Sequence, residues 1–177
     1  MNRIDDREVV KKILTGEVEA YGLLFEKYGL MVRAMAVARL RDVDAAREVV
    51  QDVFLRAYEH LGSISHPVPH LGGVLQNLTI EVCRERLRDR PAKAWILKVT
   101  AEKAERAGPG LDLEAVLGEL PRSQAAMILA EQAVGIPVQY EVPFLLRFLE
   151  GLSYPDIAKV LDVPISEVEG LVDRGRR

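Results

Sequence analysis

Apolar positions recur along this chain at every third or fourth residue, and no stretch of useful length alternates apolar and polar as a half-buried strand does. The pattern predicts an all-α fold. Asp5 or Asp6 is placed to cap a first helix over 7–15, which Gly16 stops. A second helical pattern covers 18–40, with Tyr21, Leu24, Phe25, Tyr28, Val32, Met35 and Ala36 facing inward and Gly29 as a candidate bend. Asp42 or Asp44 caps a third helix over 45–61, closed by Gly62. Its Val49, Val50, Val53, Phe54, Ala57 and Leu61 keep the 3.6-residue repeat. Residues 63–69 hold two prolines and read as a loop, and a fourth helix follows over 70–90.

The middle of the chain is harder to read. Residues 92–107 are helical in pattern, with Trp95 and Val99 one turn apart, until Gly108-Pro109-Gly110 breaks the run. Two more helices are expected over 111–120 and 121–134. The second is too apolar to be a solvated tether, through Met127, Ile128, Leu129, Ala130, Ala133 and Val134. At least one of these helices is expected to pack against a neighbouring domain and to hold the chain in a compact, inactive arrangement.

The clearest pattern is the last. Phe144, Leu145, Phe148 and Leu149 form one apolar helical face, and Gly151 follows where a helix ends in the left-handed conformation. Ser153 is a cap for the next helix, with Pro155 in its first turn and Asp156 at its positive end. Ile157, Ala158 and Leu161 face inward. After Asp162-Val163 a third helix opens at Pro164 and Ser166, with Val168, Leu171 and Val172 as its buried side. Helix, short turn and helix behind a leading helix is the outline of a helix-turn-helix unit.

Composition narrows the functional classes. The 177 residues are 49% apolar but only 6% aromatic, so the core is a matter of Leu, Val, Ala and Ile. The net charge of −3 leaves no overall nucleic-acid footprint. A single cysteine, Cys83, excludes a disulfide framework, fits a reducing compartment and is best read as a small buried residue. No run reaches the roughly 18 apolar residues of a spanning helix, and no apolar signal core follows Met1. A cytoplasmic chain without membrane insertion is expected. His66 and His70 share a proline-rich loop but have no third ligand close in sequence. With no phosphate loop, nucleophile elbow or supported carboxylate pair, the chain is not expected to be an enzyme or to need a cofactor.

The run Leu145-Leu146-Arg147-Phe148-x-Glu150-Gly151-Leu152-Ser153-Tyr154-x-x-Ile157-Ala158 resembles the promoter-reading C-terminal domain of bacterial sigma factors of the extracytoplasmic-function (ECF) type. The first half resembles the same family at Val49-Val50-Gln51-Asp52-Val53-Phe54-Leu55-Arg56-Ala57-Tyr58. The resemblance implies three parts. Residues 1–90 would bind core RNA polymerase and open the promoter, 91–135 would be a helical linker, and 136–177 would be the helix-turn-helix. Polymerase docking is implied for Gln51, Asp52 and Leu55, with Arg56 and Tyr58 beside them. Leu55 on a polar face makes a small interface anchor. Promoter opening is implied for the fourth helix, here through Gln76, Asn77, Arg84, Arg86 and Arg88. The recognition helix would offer Ser166, Glu167, Glu169, Arg174, Arg176 and Arg177. An anti-sigma factor is the implied regulator.

Two stretches depart from the family. Where it carries a Trp-Leu-Tyr-Arg-Ile-Ala-Arg-Asn-like run, whose rings stack on exposed bases, this chain has Val74-Leu75-Gln76-Asn77-Leu78-Thr79-Ile80-Glu81. Where the recognition helix is basic, this one reads Ser166-Glu167-Val168-Glu169-Gly170-Leu171-Val172-Asp173. A glutamate can accept from a cytosine amino group, but each acid repels the phosphate backbone. Residues 136–177 carry five basic and seven acidic side chains, whereas 1–90 balance at fourteen each. Gly170 and Gly175 each weaken the last helix by about 1 kcal/mol relative to alanine. The leading expectation is a sigma factor directing promoter-specific initiation. Its rival is a sigma-like interaction protein that has lost promoter reading and acts by binding an anti-sigma factor, polymerase or another partner.

Overall fold

The computed structural model describes residues 5–61, 71–88, 122–133 and 135–176, and these form helices and short turns, without a strand. The expectations for 63–69, 92–107 and 111–120, together with His66 and His70, lie outside the described residues. Helix α1 (Asp6–Leu14) starts where Asp5 accepts the Arg7 backbone N–H at 3.0 Å. A short 3-10 turn (Val18–Ala20) leads into α2 (Tyr21–Leu40), which runs through Gly29 and ends on Arg41 in the left-handed region at φ 52°. Helix α3 (Val43–His60) is capped by Asp42, whose carboxylate accepts the Asp44 and Ala45 N–H groups at 3.1 and 3.0 Å. Helix α4 (Leu71–Arg88) closes this first unit. Its Gly72 lies so near the Tyr28 ring that a Cβ would meet it at 3.2 Å.

The second unit follows α5 (Arg122–Gln132) and consists of α6 (Val138–Phe148), α7 (Tyr154–Leu161) and α8 (Ile165–Arg176). Gly151 takes φ 70°, and Ser153 caps α7 by accepting the Asp156 N–H, as the pattern of these residues predicts. Among the described residues no helix is long and apolar enough to cross a membrane.

Helix α2 is the axis of the molecule. From Met31 to Leu40 almost every side chain is buried, including five consecutive residues from Ala34 to Ala38. A helix apolar all round must be covered all round. Here α3 and α4 cover one side, while α5 and α6 cover the other. One apolar core therefore runs from Val9 and Val10 through Met31, Val49 and Leu75 to Val142, Ile157 and Val172. A second, smaller cluster joins Ala34 and Ala38 of α2 to Leu129, Ala130 and Ala133 and to Phe144 and Leu145. The expectation that a linker helix packs on a neighbouring domain is met by α5.

Burial departs from the sequence reading at three places. Phe25, expected inside, is 49% exposed, because its ring lies against Phe54 at 4.9 Å from outside the bundle. Glu141 is buried, although a charge is not predicted there. Gly175, expected to weaken its helix, is where α8 crosses α6. A Cβ there would stand 2.7 Å from the Phe144 Cβ and the Tyr140 carbonyl oxygen. The propensity cost is real, but it is the condition for that close crossing.

Candidate protein-docking and nucleic-acid interfaces

The outward face of α3 is the first candidate. Buried Val49, Val50, Val53, Phe54 and Ala57 fix the rotation of the helix, so Gln51, Leu55 and Tyr58 must face solvent. Leu55 is 59% exposed, the most exposed large apolar side chain among the described residues. Tyr58 packs edge-on against Tyr21 at 5.2 Å, and Tyr21 donates its hydroxyl hydrogen to the Phe54 carbonyl. Burial pushes the Tyr21 phenol up to about 12. The exposed ring of Phe25 extends this surface onto α2. Sequence reading missed it, although a signal exists: Phe25 shares its helical face with exposed Gly22, exposed Glu26 and partly exposed Gly29.

Asp52 and Arg56, expected to dock polymerase, are half-buried and engaged within the chain. Arg86 of α4 donates to Asp52 at 2.5 Å and also to Glu48. Arg56 forms a two-pronged pair with Glu85, with distances of 3.1 and 2.7 Å. That pair holds the Glu85 carboxyl below its usual range. The structure thus brings two expected sites into one network. Asp52 and Arg56 brace α3 against α4, and the charge of Arg86 is answered by two carboxylates.

The outward side of α4 is the second candidate. An open groove of about 340 Å³ is lined by Asn77, Ile80, Glu81, Arg84, Glu85 and Arg88. Asn77, Glu81, Arg84 and Arg88 are exposed. Gln76 turns away from this groove, its amide nitrogen 3.6 Å from the Met31 sulfur. Cys83 sits beneath, buried, and desolvation pushes its thiol up to about 11.

The third candidate is α8. Val168, Val172 and Gly175 face α6, which turns Ser166, Glu167, Glu169, Gly170, Asp173, Arg174 and Arg176 outward. Arg177 lies outside the described residues. Arg174 donates to the Tyr140 hydroxyl at 3.2 Å and lies over its ring at 5.6 Å, which lowers the Tyr140 pKa. Across the turn, Asp156 accepts from Ser153 and Lys159, and both contacts hold its carboxyl below the usual range. The exposed face of α8 is a rim of carboxylates with arginines gathered at its C-terminal end. That end is where cations complement the helix dipole.

Known proteins fit this geometry. The family described as Sigma-70, region 4 matches residues 135–177, the segment that forms α6 to α8. The RNA polymerase sigma-H factor of Pseudomonas aeruginosa is 28% identical over 174 residues, covering 97% of this chain and 90% of its own. The ECF RNA polymerase sigma-E factor of Haemophilus influenzae is 25% identical over 177 residues, covering 98% and 93%. A solved structure of CnrH in complex with the cytosolic domain of CnrY aligns over 97% of this chain and 92% of its own, with 23% identity and a TM-score of 0.47. Relatives that run the length of both helical units, and a family model that falls on the helix-turn-helix, place this chain in the ECF branch of the sigma-70 family.

Proposed function

We infer that this chain is a sigma factor that binds core RNA polymerase and directs promoter-specific initiation of transcription. It acts as a transcription regulator in the cytoplasm, and its expected antagonist is an anti-sigma factor. The observation that carries the docking part is Leu55. A leucine held 59% exposed on a polar helical face, beside exposed Tyr58 and Phe25, leaves apolar area uncovered in the free chain. A protein partner of complementary shape is stabilised by covering it. Polymerase contact is assigned to Gln51, Leu55, Tyr58 and Phe25, with Asp52 and Arg56 keeping the helix in place. Single-stranded promoter DNA is assigned to the α4 groove through Asn77, Arg84 and Arg88, and duplex DNA to α8.

The exposed Glu167, Glu169 and Asp173 favour a second reading, a sigma-like protein that binds polymerase or an anti-sigma factor without reading promoters. In vitro transcription from a genomic promoter library, run beside capture of core polymerase, separates the two. Run-off products that depend on this chain support the first reading, and capture without initiation selects the second. Failure to capture polymerase overturns both polymerase-based readings.

A further inference from the structure

The two helical units meet along α2, and the chemistry of that contact is unusual for a permanent core. Its apolar part is built largely from small side chains, with Ala34 and Ala38 facing Ala130 and Ala133. Charge forms the rest. Arg39 of α2 donates through both terminal nitrogens to Glu141 of α6, at 3.1 and 2.9 Å, and through one of them also to the Met35 carbonyl. Arg33 of α2 pairs with Glu150, just beyond α6. The two carboxylates are almost fully buried, with side-chain exposures of 9% and 2%.

Buried ion pairs and small apolar residues combine into a particular kind of joint. Closed, the pairs fix register, because a shift by one helical turn leaves a buried carboxylate without its guanidinium. Opened, both ions recover full hydration, so separation costs less than exposing an equal area of large apolar side chains. The surface is specific when shut and reversible.

Closure also limits reach. Helix α4 packs on α2, α2 on α6, and α6 on α8. With about 8–10 Å between packed helices, the axes of α4 and α8 stand at most about 30 Å apart. That spans roughly nine base pairs at about 3.4 Å each. A chain that grips two promoter elements more than one helical turn apart must separate its units.

We propose that the α2–α6 contact is a latch: Arg39–Glu141 and Arg33–Glu150 hold the helix-turn-helix unit shut on the first unit in the free chain, and the chain opens along this surface when it engages polymerase and promoter. The engagement half rests on the function proposed above; the closed state of the free chain does not.

Energy transfer between dyes on exposed α3 and α7 tests it, using R47C and K159C in a chain carrying C83A. High transfer is expected in the free chain, falling on addition of core polymerase and promoter duplex. E141Q/E150Q is expected to lower transfer in the free chain. With an open state populated at about a tenth or less, releasing the latch tightens apparent promoter affinity by about tenfold or more. The reciprocal pair R39E/E141R is expected to restore much of the transfer. R33Q removes a partly exposed partner and serves if the buried substitutions prevent folding, as circular dichroism would show; it is expected to lower transfer more weakly. Unchanged transfer in folded E141Q/E150Q or R33Q overturns the latch. So does unchanged transfer in the complete polymerase–promoter complex. If the wild-type chain does not bind polymerase, the function reading falls, while the free-chain variants still decide whether the latch exists.

Discussion

The outward faces of α3 and α8 are both set by the same device, a buried apolar stripe that leaves the opposite side to solvent, yet they present opposite chemistry. On α3 the solvent side carries Leu55 and Tyr58, with aromatic neighbours on α2. On α8 it carries Glu167, Glu169 and Asp173, with Arg174 and Arg176 toward its C-terminal end. Exposed apolar area favours any well-shaped partner that excludes water. An acidic rim is selective by repulsion and penalises a polyanion. Docking to a protein is therefore the stronger of the two activities in this chain, and duplex binding by α8 is the weaker and more conditional.

The largest expected effect that would break this contrast is at Leu55. L55D is expected to weaken core polymerase binding by about 2 kcal/mol or more, roughly thirtyfold, as loss of an interface anchor does. Its thermal stability is expected to move by less than about 0.5 kcal/mol, the usual range for a surface change. Fluorescence anisotropy with labelled chain, beside a thermal melt, checks both. Equal binding by L55D would move the docking face elsewhere.

Next is a pair of glycines that divides α8 into a packed side and an open side. G175A is expected to cost about 1–3 kcal/mol, because its Cβ meets the rigid Tyr140 backbone and Phe144. G170A has nothing within 4 Å of its Cβ and is expected to stabilise by up to about 1 kcal/mol. Urea denaturation resolves the opposite signs.

The acidic face itself can be reversed. E167K/E169K is expected to raise affinity for promoter duplex about tenfold at low salt. The slope of log affinity against log salt should steepen by about 0.9 for each additional phosphate neutralised. An unchanged slope would mean that α8 does not meet the backbone. A smaller effect is expected from R86Q, which unties α4 from Asp52 and Glu48. Those groups are partly exposed, so the loss in urea stability should be about 1 kcal/mol or less.

The last effect is on pH. The Cys83 thiol is raised from 9.0 to about 11 by burial, so between those values the folded chain keeps a proton that the unfolded chain releases. Stability from this group is complete below about pH 9 and declines as pH rises towards about 11. Urea midpoints at about pH 8 and about pH 10, with C83A as reference, isolate the contribution. The shift should be absent in C83A.

Much of this architecture is written in neighbouring residues. Asp5, Asp42 and Ser153 cap helices through groups two or three positions away, and Gly151 turns the chain by its own φ of 70°. Such contacts close within one turn of backbone, so periodicity and cap residues locate the helices to within a residue or two. Leu55 was legible for the same reason, since the stripe of Val50, Phe54 and Ala57 leaves it only one direction to face. The order of bases and acids also reads directly as a weak case for duplex binding by α8.

The rest depends on residues far apart along the chain. Arg39 finds Glu141 across 102 positions, Arg33 finds Glu150 across 117, and Arg86 reaches Asp52 across 34. No local periodicity encodes which charge is buried or which arginine is already taken. Nor does it show that Phe25 lies against Phe54 from outside, or that Gly175 makes room for Phe144. Local hydrogen bonds and the apolar stripe settle where each helix begins and which way it turns. Packing of one helix on another settles which side chains remain available, because burial and ion pairing are properties of the neighbours that folding brings together.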